Sequence, residues 1–126
     1  MTGFAFDSNI VIDALAGREP AREEIRRAVL ATSRAWISRV VWIEVLSKGS
    51  PEELRRAERL LSGFFTDEMD AEIAARAAAL RRERPRLRLP DSVVLATAQL
   101  RGRVLVTRNT KDFPANMPGI RVPYIL

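Results

Sequence analysis

Four carboxylates, Asp7, Glu44, Asp91 and Asp112, are placed where a chain of this kind does chemistry. Asp7 directly follows the apolar run Gly3-Phe4-Ala5-Phe6. Glu44 is embedded in Val40-Val41-Trp42-Ile43-Glu44-Val45-Leu46, apolar nearly all round, which predicts a buried helix. Asp91 stands just ahead of Val93, Val94, Leu95 and Ala96. Asp112 comes after the polar turn Arg108-Asn109-Thr110-Lys111. Taken singly, each has an ordinary reading: Asp7 and Asp91 as helix caps, Glu44 as the partner of an arginine, Asp112 as a turn residue. Gathered at one rim they repel. At ~6 Å and an effective dielectric near ~20, each ionised pair costs about 3 kcal/mol. A hard divalent cation with oxygen ligands, Mg²⁺ or Mn²⁺, relieves that repulsion. Such an ion in a basic protein points to phosphodiester chemistry.

Composition narrows the chemistry further. The chain has 126 residues with no Cys and no His. Disulfides, thiolate nucleophiles, His bases and Cys- or His-based zinc sites are thereby excluded. Of 21 basic residues only Lys48 and Lys111 are lysines; the rest are arginines, and the net charge is +5. That balance fits an anionic partner such as nucleic acid or an acidic peptide, against the plainer reading of arginines on solvated helix faces. Hydrophobic residues are 47% and charged residues 29%, so residues 1–126 are expected to form one globular domain with a real core. The longest uncharged stretch, 92–100, falls far short of the ~20 apolar residues that span a bilayer, so no membrane partner is expected. The N-terminal stretch carries Asp7 and Asp13 and no basic lead, which does not read as a signal peptide; a soluble, cytoplasmic protein is expected.

The elements that must position the acids alternate between strand and helix. Short strands are predicted at 3–6, 35–38, 64–66, 103–107 and 121–125, the last demoted to an edge by Pro123. Helices are predicted at 9–15 (capped by Ser8 or Asp7, with Ser8 read as a cap rather than as a partner of a metal-bound water), from Pro20 to about Thr32, at 40–48 behind Ser38, and from Pro51 behind Ser50. Two more follow: one capped by Asp67 and running to about Arg84 with Met69, Ile73, Ala77 and Leu80 on one stripe, and one at 92–101 closed by Gly102. This alternation predicts an α/β fold with a parallel sheet covered on both faces. Ligands in such sheets sit at the carboxyl ends of the strands.

Four segments resemble the motifs of the PIN domains, in order along essentially the whole chain. They are Phe6-Asp7-Ser8-Asn9-Ile10-Val11-Ile12-Asp13, Trp42-Ile43-Glu44-Val45, Leu89-Pro90-Asp91-Ser92-Val93-Val94-Leu95-Ala96-Thr97-Ala98, and Leu105-Val106-Thr107-Arg108-Asn109-Thr110-Lys111-Asp112-Phe113. Their spacing is similar to that of the toxin nucleases of VapBC-type toxin–antitoxin pairs. The resemblance implies a three-layer α/β/α fold with a short parallel central sheet. It implies Mg²⁺ or Mn²⁺ held by Asp7, Glu44 and Asp91, with Asp112 as the fourth acid where other members carry one at the position of Asn109. It implies cleavage of single-stranded RNA by activated water, a homodimer, and a cognate antitoxin protein. Glu44 or Asp112 would orient the water; Thr107 and Asn109 would serve the same site, and Arg108 and Lys111 would hold flanking phosphates. Asp13 is expected to be a solvated helix acid. The apolar stripes beside Arg55, Arg56, Arg59, Arg76, Arg81 and Arg82 are the candidate partner surfaces.

Competing readings make different demands. A phosphoacceptor receiver domain needs paired acids after the first strand, and a haloacid-type phosphatase needs Asp-x-Asp, where Asn9 stands in the third place. A catalytically silent PIN-fold module for nucleic acid or protein, and a DNA-directed nuclease, are the remaining alternatives.

Overall fold

The structure is a computed structural model that describes residues 3–31 and 34–125. Its strands are β1 (Phe4–Phe6), β2 (Ala35–Ser38), β3 (Phe65–Asp67), β4 (Val104–Val106) and β5 (Ile120–Arg121). Its helices are α1 (Ser8–Leu15), α2 (Glu19–Leu30), α3 (Arg39–Val45), α4 (Pro51–Leu61), α5 (Ala71–Glu83) and α6 (Leu89–Arg101). All strand pairs are parallel, in the order β3-β2-β1-β4-β5; β5 is an edge, but it ends at Arg121, so Pro123 lies past it and the strand expected at 121–125 is not formed. The helices cover the sheet in three layers, with α5 packed on α6 and α1 on α2. The end expected for the second helix at Thr32 lies outside the described residues.

Local chemistry explains most boundaries. Ser50 and Glu53 form a complete capping box, with Ser50 Oγ accepting from the Glu53 amide at 3.1 Å and Glu53 Oε1 from the Ser50 amide at 2.9 Å. Gly102 closes α6 in the left-handed region, φ 68°, where a Cβ would be strained. Three expectations are corrected. The cap of α1 is Asp7, and Ser8 is the first helical residue. The cap of α5 is Asp70, whose Oδ1 accepts from the Ile73 amide at 2.8 Å. Asp67 instead ends β3 opposite Ser38, buried and gripped by Arg103 at 2.9 and 3.2 Å, so it is not free to cap, and Met69 lies exposed ahead of the helix.

The third correction concerns which helix is buried. α3 is not: Val41 and Val45 face the core, while Ile43 is 53% exposed and Glu44 is half-buried. α6 is: every residue from Asp91 to Ala98 is buried. Both are apolar all round, so periodicity alone cannot choose between them. α6 contacts β2 and β4 and is covered by α5 on its outer side, whereas α3 has nothing over Ile43. The core centres on Phe6, Ile10, Ile37, Ile73, Leu105 and Phe113.

Candidate active site

β1 lies between β2 and β4, and the chain reverses direction of travel across the sheet at the β1–β4 junction. That crevice, at the carboxyl ends of the strands, is where ligands bind in open parallel sheets. Asp7 follows β1 and its amide donates to Val106 O at 2.9 Å, so it is pinned beside the end of β4. Thr107 follows β4 and is fully buried. Its hydroxyl donates to Asp7 Oδ2 at 2.8 Å while accepting from the Asn109 amide at 3.0 Å. Asp7 Oδ1 accepts from the Ser8 amide at 2.9 Å. Asn9 Nδ2 reaches both Asp7 Oδ2 and Thr107 Oγ1 at 3.3 Å, and Asn9 Oδ1 accepts from the Arg108 amide at 3.3 Å. Thr107 and Asn9 thus hold the Asp7 carboxylate in one orientation.

The other acids arrive from three elements. Asp91 lies in the first turn of α6, only 4% exposed. Glu44 lies near the end of α3. Asp112 lies in the loop after β4, where Asn109 Nδ2 donates to its Oδ2 at 3.0 Å and Asn109 Oδ1 accepts from its amide at 3.3 Å. Arg84 donates to the Asp112 backbone carbonyl and so ties the same loop to the end of α5.

Charge couples Asp7 to Asp91 and Glu44, and Asp91 to Asp112. Burial pushes the Asp7 pKa up to about 6; the bonds from Thr107 and Ser8 act against that, and the charges of Asp91 and Glu44 add to it. Asp91 is also raised, by burial first, against the bond and charge of Arg88. The neighbouring Asp112 lifts it further. Among the described residues no three carboxylates are gathered tightly enough to form a ready cage. Three of the four acids have an internal donor: Asp7 has Thr107, Asp91 has Arg88 at 3.1 Å, and Asp112 has Asn109.

The basic residues divide. Asn9, Arg86, Arg88, Arg108 and Lys111 line an open cleft of about 650 Å³ beside the acids. Lys111 is exposed on that cleft, as a phosphate-holding role requires. Arg108 is largely committed elsewhere: its Nε and Nη2 bond Asp13 at 2.6 and 3.0 Å. Asp13 is therefore not the solvated helix acid expected. It is 3% exposed and also accepts from Tyr124 Oη at 2.8 Å. Burial works against its charge, and the bonds from Arg108 and Tyr124 overcome it, so its pKa falls. Asp13 is expected to brace the loop that carries Asn109 and Asp112. Asp13→Ala should cost about 2–3 kcal/mol in urea unfolding, because it strands Arg108 and Tyr124. A loss under about 0.5 kcal/mol would show that the cluster is only a surface pair.

Arg88, Asn9 and Tyr124 are site residues that sequence reasoning missed. Only Arg88 carried a signal, its three-residue spacing from Asp91 at a helix start.

Comparisons with known proteins bear on the family and the fold. The PIN domain family matches residues 4–116. A chain of a toxin–antitoxin complex from Klebsiella pneumoniae is 38% identical, with 98% of this chain and 100% of that chain covered and a TM-score of 0.86. A chain of DNA-bound VapBC from Salmonella typhimurium is 29% identical, with 96% of each chain covered and a TM-score of 0.79. A chain of VapBC2 from Rickettsia felis, bound to a DNA fragment from its promoter, shares the fold at 19% identity, with 93% and 94% covered and a TM-score of 0.78. Among curated proteins, none matches. With one acid at the end of β1, others brought to it by α3, α6 and the loop after β4, and the family match running through all of these elements, the chain belongs to the PIN domain family.

Proposed function

We propose that this protein is the toxin of a VapBC-type toxin–antitoxin pair, a Mg²⁺- or Mn²⁺-dependent endoribonuclease that cleaves single-stranded RNA. The observation that carries the reading is the buried Asp7 carboxylate, raised to about 6 and facing Asp91 and Glu44 in the crevice between β1 and β4. The donor set fits a hard divalent cation. It is all oxygen, with no His or Cys in the chain, and its buried acids resist carrying charge with nothing to balance it. Asp7 and Asp91 would hold the ion, with Glu44 and Asp112 completing its surroundings. Bound there, it would polarise the scissile phosphate and make a water more acidic.

The chain's own residues do the rest. Thr107 and Asn9 fix the direction of the Asp7 carboxylate. Glu44, half-buried, or Asp112 orients the attacking water and accepts its proton. Asn109 acts through Asp112, which it holds by two bonds. Lys111 and Arg86 hold flanking phosphates. Attack by water without use of the 2′-hydroxyl leaves a 5′-phosphate and a 3′-hydroxyl.

A second copy and an antitoxin belong to the same reading. Exposed Ile43, Met69 and Leu89 border an apolar groove of about 880 Å³. A second groove, of about 480 Å³, sets Arg22, Arg26 and Arg56 around Leu15, Val29 and Leu60, which suits a partner segment of apolar and acidic side chains. No helix among the described residues is long and apolar enough to cross a membrane.

The test is incubation with ribo and 2′-deoxy versions of one oligonucleotide, with Mn²⁺ or with chelator. The expected result is cleavage of the ribo strand only, with Mn²⁺ only. Binding to both without cleavage of either would favour the silent PIN-fold module, and cleavage of the deoxy strand would make it a DNA-directed nuclease.

A further inference from the structure

Arg88 sits at the edge of the acid cluster. It precedes α6 and makes no side-chain cap bond. Its side chain is 69% exposed, whereas that of its partner Asp91 is 5% exposed. Only Nε touches Asp91, at 3.1 Å, so the pair lacks the two-pronged fork that makes Arg–carboxylate pairs strong. Glu44 and Asp112 also act on the guanidinium and, with Asp91, hold it more firmly charged. It touches Asp91 and lies within the electrostatic reach of Glu44 and Asp112. The same side chain lines the basic cleft with Arg86 and Lys111.

A single charge held by one bond, on an exposed and flexible stem, is displaced readily by a divalent ion that several carboxylates can hold at once. We propose that Arg88 is an exchangeable counter-ion: it balances the acids while no divalent cation is bound, releases Asp91 when one binds, and turns into the basic cleft to hold a substrate phosphate. The inference rests on the metal-site reading of Asp7 and Asp91. It makes Arg88 a competitor of the metal and the link through which metal binding strengthens RNA binding.

The experiment titrates Mn²⁺ by calorimetry into the full chain as wild type, Arg88→Gln and Lys111→Gln. The last removes the same charge from the same cleft without breaking a carboxylate bond. Arg88→Gln should bind Mn²⁺ about three- to tenfold more tightly than wild type, and Lys111→Gln less than about twofold. A second measurement follows fluorescence anisotropy of a single-stranded RNA with and without Ca²⁺, used in place of Mn²⁺ to hold off cleavage. Ca²⁺ should tighten RNA binding by wild type and do so much less for Arg88→Gln. If wild type binds Mn²⁺ and Arg88→Gln binds it no better, the exchange is wrong and the metal site stands. If no protein binds Mn²⁺, the metal reading falls and takes the exchange with it.

Discussion

Asp7→Asn should lower the rate of RNA cleavage by about 10³-fold or more while leaving the protein folded. The side chain is held at the centre of the crevice by Thr107, Asn9 and the Ser8 amide, so the amide variant occupies the same place with no charge to offer a cation. Asp91→Asn should act in the same direction, since Asp91 faces Asp7 from the first turn of α6. Expression in bacteria should be growth-inhibiting for wild type and tolerated for both variants. Wild-type cleavage by both would dissolve the metal-site reading, and equal growth inhibition would count against the toxin reading.

The second large effect is in thermal melts at several pH values, with chelator or with Mn²⁺. The ordinary Asp7 pKa of 3.8 is raised to about 6 in the fold, and the sign follows from that order. Below the lower value the carboxyl is protonated folded or unfolded, and contributes no difference. Between the two values the unfolded chain ionises while the fold keeps its proton, so stability falls as pH rises. Above the upper value both are ionised and the full penalty stands, about 3 kcal/mol as an upper bound. Asp13, Asp70, Glu53 and Glu68 have lowered pKa values and work oppositely, losing stability as pH falls below the usual carboxylate range. Comparing wild type with Asp7→Asn isolates the Asp7 contribution. In chelator the variant should melt about 5–10 °C above wild type at pH 7, and the gap should close toward pH 4. The Asn side chain keeps only part of the Thr107 and Ser8 bonding, which holds the gain below the upper bound.

Mn²⁺ should reverse the comparison. At ~100 times its Kd it adds about 2.7 kcal/mol to the wild type by binding only the folded state. That increment should shrink at lower pH as protons displace the ion, and should be nearly lost in Asp7→Asn. A Mn²⁺ increment of the same size in both proteins, or a gap in chelator that does not change with pH, would mean that the acids do not act as one site.

Much of this protein was legible from short stretches of chain. The strand ending at Asp7, the capping box at Ser50 and Glu53, the stop at Gly102 and the order of strands and helices all depend on residues a few positions apart. The rule that ligands gather at the carboxyl ends of parallel strands then placed Asp7 at that rim, and the resemblance to the PIN domains put Thr107 in the same site. What the tertiary structure alone decided is which groups lose water and which charges meet. Glu44 on the apolar α3 is half-buried, while Asp91 on the equally apolar α6 is sealed, because α5 packs extensively against α6 while α3 leaves Ile43 and its surroundings open. Asp13, which looks solvated, is buried by Arg108 and Tyr124, which are 95 and 111 residues away along the chain. Arg108 looks free for phosphate, and that same contact occupies most of it. Side-chain period and capping are settled within a turn or two of helix. Burial and ion pairing are settled by contacts between distant segments, whose energies depend on the dielectric and the partners that only the folded chain supplies.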